Sequence, residues 1–295
     1  SGRNLFITGK AGTGKTTLLR QVTEEYKNEC VVVAPTGVAA INAAGVTIHS
    51  LFSLDIGVQE PDKPFDWKLP SSKKAILRKI KLLIIDEISM VRCDLMDAID
   101  RRLRSVKKTK LPFGGVQVLM FGDMMQLPPV VTNDEGDVLA EYYDDFYFFN
   151  ALVFKESEFH VVELTEIFRQ TDKDFINLLS DVREGSLSEK SKEMVSEMVH
   201  NKPNENTIHL CALRNVAEDY NTERLGHPTH IIKANISGDF NPKNAICDLE
   251  LKLKVGARVM ITKNETISGD YCNGTLGHVK EIKPDYIQVL TDDNK

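Results

Sequence analysis

Residues 4–22, NLFITGKAGTGKTTLLRQV, decide the fold. The apolar run NLFIT reads as a buried strand, and TTLLRQVTEEY reads as a helix. Between them stand Gly9, Gly12, Gly14 and Lys15, and residues 9–16, GKAGTGKT, fit the phosphate-loop pattern GxxxxGK[ST]. Each residue type there has a physical reason. Glycines let the backbone turn so tightly that successive N–H groups converge on phosphate oxygens. The helix that follows adds its positive N-terminal end. A lysine at position 15 can bridge β- and γ-phosphates, and the Thr16 hydroxyl can ligate Mg²⁺. The predicted cradle is Gly9, Ala11, Gly12, Thr13, Gly14, Lys15, Thr16 and Thr17. The alternative is a glycine turn that merely connects strand to helix.

Outward from this stretch, strands and helices alternate. CVVVAP, IKLLIIDE and VQVLMFGD are short apolar runs ending near residues 35, 87 and 123. Such runs separated by helices indicate an α/β fold, a parallel sheet covered on both faces. Leu95, Ile99, Leu103 and Val106 recur at helical spacing and give the helix between the third and fourth runs one apolar stripe. The basic run from Arg101 to Lys110 lies on that helix, and a solvated face is expected there rather than a DNA groove. Residues 53–74 break the alternation with three prolines and the only tryptophan, so an inserted subdomain or loop is expected. Beyond residue 155 the pattern changes. Helices are predicted at 172–185, 188–201 and 215–226, a strand at 207–213, and a strand-rich tail with glycine turns. The expected boundary separates 1–155 from 156–295.

The strand LLIIDE ends in Asp86 and Glu87, at the edge where open α/β sheets bind ligands. Asp86 can hold the shell of a Mg²⁺ ion, and Glu87 can orient and deprotonate an attacking water. The other reading makes the pair an N-cap and first turn for the next helix. Asp123 ends the fourth strand, and Gln126 three residues later can reach a γ-phosphate. Arg169, in ELTEIFRQ, either bonds a γ-phosphate bidentately or forms a surface ion pair.

The chain's 295 residues suit about two domains. With 42% hydrophobic and 27% charged residues it fits an ordinary soluble globular protein. A net charge of -6 argues against a generally sticky nucleic-acid binder and leaves room for a local basic groove. Five cysteines without a CxxC pair argue against zinc or a disulfide framework and fit a reducing compartment. The pair His227 and His230 in HPTH is not read as a metal site. No apolar run approaches the ~20 residues of a membrane span.

Five stretches together carry a resemblance: GKAGTGKT, APTGVAAINAAGVTIHSLF, LLIIDEISM, FGDMMQLPPV and ELTEIFRQ. Their order resembles that of the PIF (petite integration frequency) family of DNA helicases, of the superfamily that includes RecD-like and Dda-like enzymes. DLMDAIDRRLRSVKKTKLPFGGVQ and FFNALVF are similar to that family's connecting signatures. The match is close over roughly residues 4–170 and looser in CALRNVAEDYN and VGARVMITKN…YCNGTLGHV.

The resemblance implies a RecA-like P-loop NTPase domain, residues 1–155, interrupted at 53–74 by a wedge-like subdomain. Part of a second RecA-like motor domain would follow in 156–295. It implies a monomeric motor fuelled by Mg-ATP, moving 5′-to-3′ on single-stranded DNA and acting at duplex/single-strand junctions. Roles in DNA repair, recombination and telomere maintenance go with it. The compartment would be the cytoplasm in a bacterium and the nucleus or mitochondrion in a eukaryote. Residue by residue, Lys15 and Thr16 match the phosphate-loop roles, Asp86 and Glu87 the metal and water roles, Gln126 the γ-phosphate sensor and Arg169 the first-domain arginine.

Pro35, Thr36, Gly37, His49 and Phe52 lie in the segment with which such helicases touch DNA. Amides around Thr36 and Gly37 can hold a DNA phosphate without reading sequence. Phe52 either stacks on a base or is a core aromatic, and His49 either contacts DNA or is structural. Phe65 and Trp67 either part the duplex or plug a proline-rich loop.

The chain also departs from the family. A TxHxxQG-like motif, an LSR-like arginine motif and an adenine-contacting glutamine are not found. A truncated chain that binds ATP analogues without unwinding is therefore expected. The alternatives are a RecD-like motor subunit of a larger complex and a nucleotide-switched interaction protein.

Overall fold

The structure, a computed structural model, describes residues 3–63, 68–202, 207–236, 247–262, 271 and 274–292. Contacts divide the chain into two units, Ser1–His200 and Asn201–Lys295.

The first unit is built on six parallel strands: β1 (Asn4–Gly9), β2 (Cys30–Ala34), β3 (Val46–Thr47), β4 (Leu82–Ile85), β5 (Gln117–Phe121) and β6 (Phe159–Leu164). Their order across the sheet is β3-β2-β4-β5-β1-β6. Strand β4 shows why the apolar runs were continuous rather than alternating. Leu83 and Ile85 enter one core with Phe6, Val33, Val118 and Met120. Leu82 and Ile84 enter another with Ile7, Val32, Leu119 and Phe121. Successive side chains of a strand point to opposite faces, so a strand covered on both faces must be apolar throughout. Helix α1 (Lys15–Glu25) seals the second core through Leu19, which is fully buried. The first core takes side chains from α3 (Ile48–Phe52), α4 (Ser71–Lys79) and α5 (Cys93–Lys107). The predicted stripe Leu95, Ile99, Leu103 and Val106 faces that core.

As far as Lys107 the basic run on α5 is not a solvated face; Lys108 and Lys110, past the end of the helix, are exposed. Arg102 is 2% exposed and donates to the Ser53 carbonyl at 3.1 Å. Arg101 donates to the carbonyls of Pro61 and Gln59. Arg104 pairs with Asp100 and Glu156, and Lys107 donates to the Ile80 carbonyl at 2.6 Å. These cations satisfy loop carbonyls that have no ladder partner, a local demand that helical periodicity does not show. The segment after Phe52 is held to the same helix: the Gln59 N–H donates to Asp94, and Arg92 binds Asp94, Glu135 and the Gly57 carbonyl. At its far end residues 71–74 already belong to α4.

The first unit extends past the expected boundary at 155. Strand β6 pairs along the whole of β1, from Asn4↔Phe159 to Gly9↔Leu164, and completes the sheet. Helices α7 (Lys173–Glu184) and α8 (Glu189–Val199) follow within the same unit, after the short α6 (Asn133–Leu139). Helix α2 (Gly37–Asn42) lies between β2 and β3.

In the second unit, α9 (Arg214–Leu225) precedes a two-stranded ribbon of β7 (His230–Lys233) and β8 (Glu250–Leu253). Three further strands, β9 (Arg258–Met260), β10 (Leu276–Ile282) and β11 (Ile287–Thr291), form an antiparallel sheet in the order β11-β10-β9. The strand expected at 207–213 does not form: among the described residues that stretch has no ladder pairing and bends at Ala212 and Leu213. Among the described residues no helix is long and apolar enough to cross a membrane.

Candidate functional site

Because the sheet is parallel, its strand ends gather on one edge, and the chemistry-bearing stretches follow them. Residues 10–14 follow β1, Pro35 to Gly37 follow β2, Asp86 and Glu87 follow β4, Asp123 follows β5, and Arg169 lies downstream of β6.

The loop after β1 is shaped by its glycines. A Cβ on Gly9 would lie 2.4 Å from the Leu164 carbonyl oxygen. At Gly12, φ is 84° and a Cβ would lie 2.7 Å from the Cβ of Arg169. Only glycine admits this approach and this backbone. The Phe168 N–H donates to the Gly12 carbonyl at 2.8 Å, so the stretch containing Arg169 is stitched onto the loop. Arg169 itself is exposed. Thr13 is 3% exposed, and its hydroxyl donates to the Lys10 carbonyl at 2.8 Å, which holds the turn. Lys15 opens α1 and donates to the carbonyls of Gly9 at 2.6 Å and Lys10 at 3.1 Å. Burial pushes its pKa down, Asp123, Glu87 and Asp86 pull it up, and Arg183 pushes it down; the balance is below the usual lysine value.

Asp86 extends β4 by one hydrogen bond, its N–H donating to the Val33 carbonyl at 2.9 Å. Glu87 then adopts φ 51°, ψ 45°, a left-handed backbone that costs a non-glycine residue on the order of 1 kcal/mol. Glu87 precedes the short helical turn Ile88–Met90 but makes no side-chain cap bond. The capping reading of the pair therefore fails for Glu87. Burial raises the Asp86 carboxyl above the ordinary range, with the Glu87 N–H and Lys15 opposing. Burial raises Glu87 too; the Asp86 and Asp123 charges add to it, and Lys15 opposes.

Asp123 is 2% exposed. It accepts from the Met125 N–H at 3.1 Å, the Gln126 amide at 3.3 Å and the Arg183 guanidinium at 2.8 Å. Burial pushes its pKa up, but Arg183, Met125 and Gln126 outweigh that and hold it below the usual carboxylate value. Gln126 is exposed, its side chain tied back to Asp123.

Sequence reasoning assigned no role to Arg183 or to Lys10, which donates to Ser180 at 3.1 Å and pairs with Glu184 at 3.4 Å. Both interactions link the strand-end loops to α7, a pairing across more than 50 residues that no local spacing announces.

Thr16 is exposed at the first turn of α1, and Asp86 is partly buried at the end of β4. These two oxygen donors fit the one or two protein groups that Mg²⁺ takes beside substrate phosphates and water.

The segment after β2 is placed differently from expectation at one residue. The Thr36 hydroxyl accepts from the Ala39 N–H and caps α2, leaving Pro35, Thr36 and Gly37 half-buried at the strand end. Phe52 is fully buried in the core with Ile48, Leu77 and Leu83, so its ring is a core aromatic and does not face a base. His49 is half-buried; burial lowers its pKa, Arg92 adds to that, and Asp94 opposes. Phe65 and Trp67 lie outside the described residues.

The chain as a whole is similar to known proteins. A family model described as PIF1-like helicase matches residues 1–193, and one described as the 2B domain of DNA helicase Pif1 matches residues 243–282. The ATP-dependent DNA helicase PIF1 of Saccharomyces cerevisiae is 33% identical over 303 residues, covering 96% of this chain and 34% of that protein. Its counterpart from Bdellovibrio bacteriovorus is 33% identical over 306 residues, covering 99% of this chain and 67% of that protein. The Pif1 helicase from Bacteroides crystallised with ADP-AlF3 and ssDNA superposes with a TM-score of 0.90 at 45% identity, covering 100% of this chain and 70% of that one. The chain thus spans about a third of the yeast protein and about two thirds of the Bdellovibrio one.

Proposed function

The chain belongs to the PIF1-like helicase family, and from that premise we propose that it supplies the ATP-hydrolysing motor of a DNA helicase. The observation that carries the proposal is the meeting of Lys15, Asp86, Glu87 and Asp123 at one sheet edge, close enough for the three carboxylates to act on the lysine's charge. Lys15 leaves the Gly9 and Lys10 carbonyls for the β- and γ-phosphates of ATP, which are stronger acceptors because they are charged. Residues 9–17 wrap the phosphates. Thr16 and Asp86 would hold Mg²⁺, which would neutralise phosphate charge. Glu87, free of a capping bond, orients the attacking water and takes its proton. Gln126 and Arg169 read the γ-phosphate, Arg169 from directly over the loop at Gly12.

The polymer is single-stranded DNA, and the direction is 5′-to-3′. Two features support DNA as the partner: the strand-end backbone at Thr36 and Gly37, and the relative from Bacteroides that was crystallised with ssDNA. Residues 201–295 form the second unit, and 243–282 of it match the model of the Pif1 2B domain.

The test is ATP hydrolysis with and without single-stranded DNA, run beside Lys15→Ala. A motor shows DNA-stimulated turnover that Lys15→Ala abolishes together with tight Mg-ATP binding. Turnover indifferent to DNA would leave a nucleotide-switched interaction protein as the better reading. ATP affinity unchanged by Lys15→Ala would refute the phosphate site itself.

A further inference from the structure

Helix α7 lies outside every motif used so far, yet one of its faces reaches two of the strand-end loops. Ser180, Arg183 and Glu184 are spaced by three and four residues and so share that face. Ser180 and Glu184 take the Lys10 ammonium of the phosphate loop. Arg183 takes Asp123 with a fork: Nη2 donates to Oδ1 at 2.8 Å and Nε donates to Oδ2 at 3.3 Å. The same Oδ2 accepts the Gln126 amide at 3.3 Å, and the same Oδ1 accepts the Met125 N–H at 3.1 Å.

Net stability alone does not explain the geometry of this pair. Arg183 is about a quarter exposed, and the Asp123 charge is favoured on balance, but attraction between two charges does not by itself demand a two-point fork. The pair also sits beside Lys15, where the Arg183 charge is unfavourable to a second cation and Asp123 compensates. What the fork does provide is geometry. A bidentate guanidinium fixes both oxygens of a carboxylate, and so fixes whatever else those oxygens hold. Here that is the side chain of Gln126 and the backbone of the turn leading to it.

We propose that Arg183 is a positioning residue of the phosphate site: by clamping Asp123 it sets the Gln126 amide, and helix α7 thereby fixes the γ-phosphate-reading turn relative to the phosphate loop. The proposal rests on the nucleotide-site reading above. Arg183 acts through Asp123 and Gln126 and does not touch the nucleotide.

Steady-state ATP hydrolysis by the full-length protein tests this, with Arg183→Gln, Arg183→Lys, Gln126→Ala, the double variant Arg183→Gln/Gln126→Ala, and Lys15→Ala in parallel. Loss of a group that orients a functional residue costs about 10–100-fold in activity, and that loss is expected in kcat for Arg183→Gln while KM for ATP holds. Arg183→Lys, which keeps the charge but loses the fork, should fall between wild type and Arg183→Gln. The double variant should be no slower than Gln126→Ala alone, because both changes remove the same function. A raised KM at unchanged kcat would make Arg183 a nucleotide contact and overturn the proposal. Additive losses in the double variant, or wild-type kinetics in Arg183→Gln, would overturn it as well. Lys15→Ala separates the two levels: if it is inactive while Arg183→Gln is normal, only the positioning role fails, and if it retains full turnover, the phosphate-site reading fails with it.

Discussion

Two groups of acidic side chains in the first unit look alike in sequence and differ in what they are given. On α5, Asp94, Asp97 and Asp100 are nearly or fully buried, and each is supplied with donors. Asp97 accepts the N–H groups of Leu152 and Val153 and the Tyr143 hydroxyl, all at 2.9 Å. Asp94 accepts the Gln59 N–H and Arg92, and Asp100 accepts the Phe113 N–H and Arg104. At the sheet edge Asp86 is opposed by one N–H and by Lys15, and Glu87 has only Lys15 to favour its charge. A carboxylate whose lone pairs are filled by its own chain is a structural bracket. One left at a strand end with its charge only partly compensated is held ready for a cation or a water. The acids of α5 are buried and the pair at the sheet edge partly so; what separates them most is the supply of donors.

The sharpest way to break that distinction is Glu87→Gln. The change preserves size and removes the base, so ATP should still bind while turnover falls by roughly the 10²–10⁴ of general-base loss. Single-turnover hydrolysis beside calorimetric ATP titration measures both quantities. Normal turnover would put Glu87 in the same class as the acids of α5. Asp97→Ala is the reciprocal change and should act on stability. It strands three donors in the interior, Leu152 N–H, Val153 N–H and Tyr143 O–H, at a total cost of about 2–4 kcal/mol. Denaturant unfolding reads that loss, and kcat per folded molecule should stay at the wild-type value. A wild-type unfolding midpoint would show that Asp97 is no bracket.

The same contrast explains what the sequence disclosed. The phosphate loop was legible because its pattern is contiguous and its glycines are required: a Cβ on Gly9 or Gly12 would lie 2.4 or 2.7 Å from a neighbouring atom. The central strands were legible because both faces are buried. Strand β6 was not, since Val161 and Val162 are exposed at the sheet edge and carry no burial signal. Missing β6 put the expected boundary at 155, inside the first unit. Phe52 could be read two ways because one apolar position at helical spacing serves a core or a base equally well. The basic run on α5 misled because its partners, such as the Ser53 and Ile80 carbonyls, lie 49 and 27 residues away. Arg183 was hidden for the same reason, 60 residues from Asp123. Contacts of that range belong to the fold and leave no local spacing.

The smallest expected effect is in the pH profile of activity, which Glu87 shapes and the acids of α5 do not, although burial raises Asp97 and Asp100 as well. Burial and the neighbouring Asp86 charge raise the Glu87 carboxyl above its ordinary value of 4.5, and Lys15 only partly offsets them. A base works only when ionised, so activity is full above its pKa and is lost as the pH falls through it. A raised pKa therefore moves the acid limb upward. The limb of kcat/KM reports the free enzyme, which is the state described by these contacts. ATP ionises in the same region, but that contribution is common to wild type and Glu87→Gln and cancels in the ratio of their profiles. The ratio should fall on the acid side with an apparent pKa above 4.5. A limb at or below the ordinary glutamate value would mean that Glu87 is solvated like a surface acid, and burial without donors would then not be what prepares this residue for chemistry.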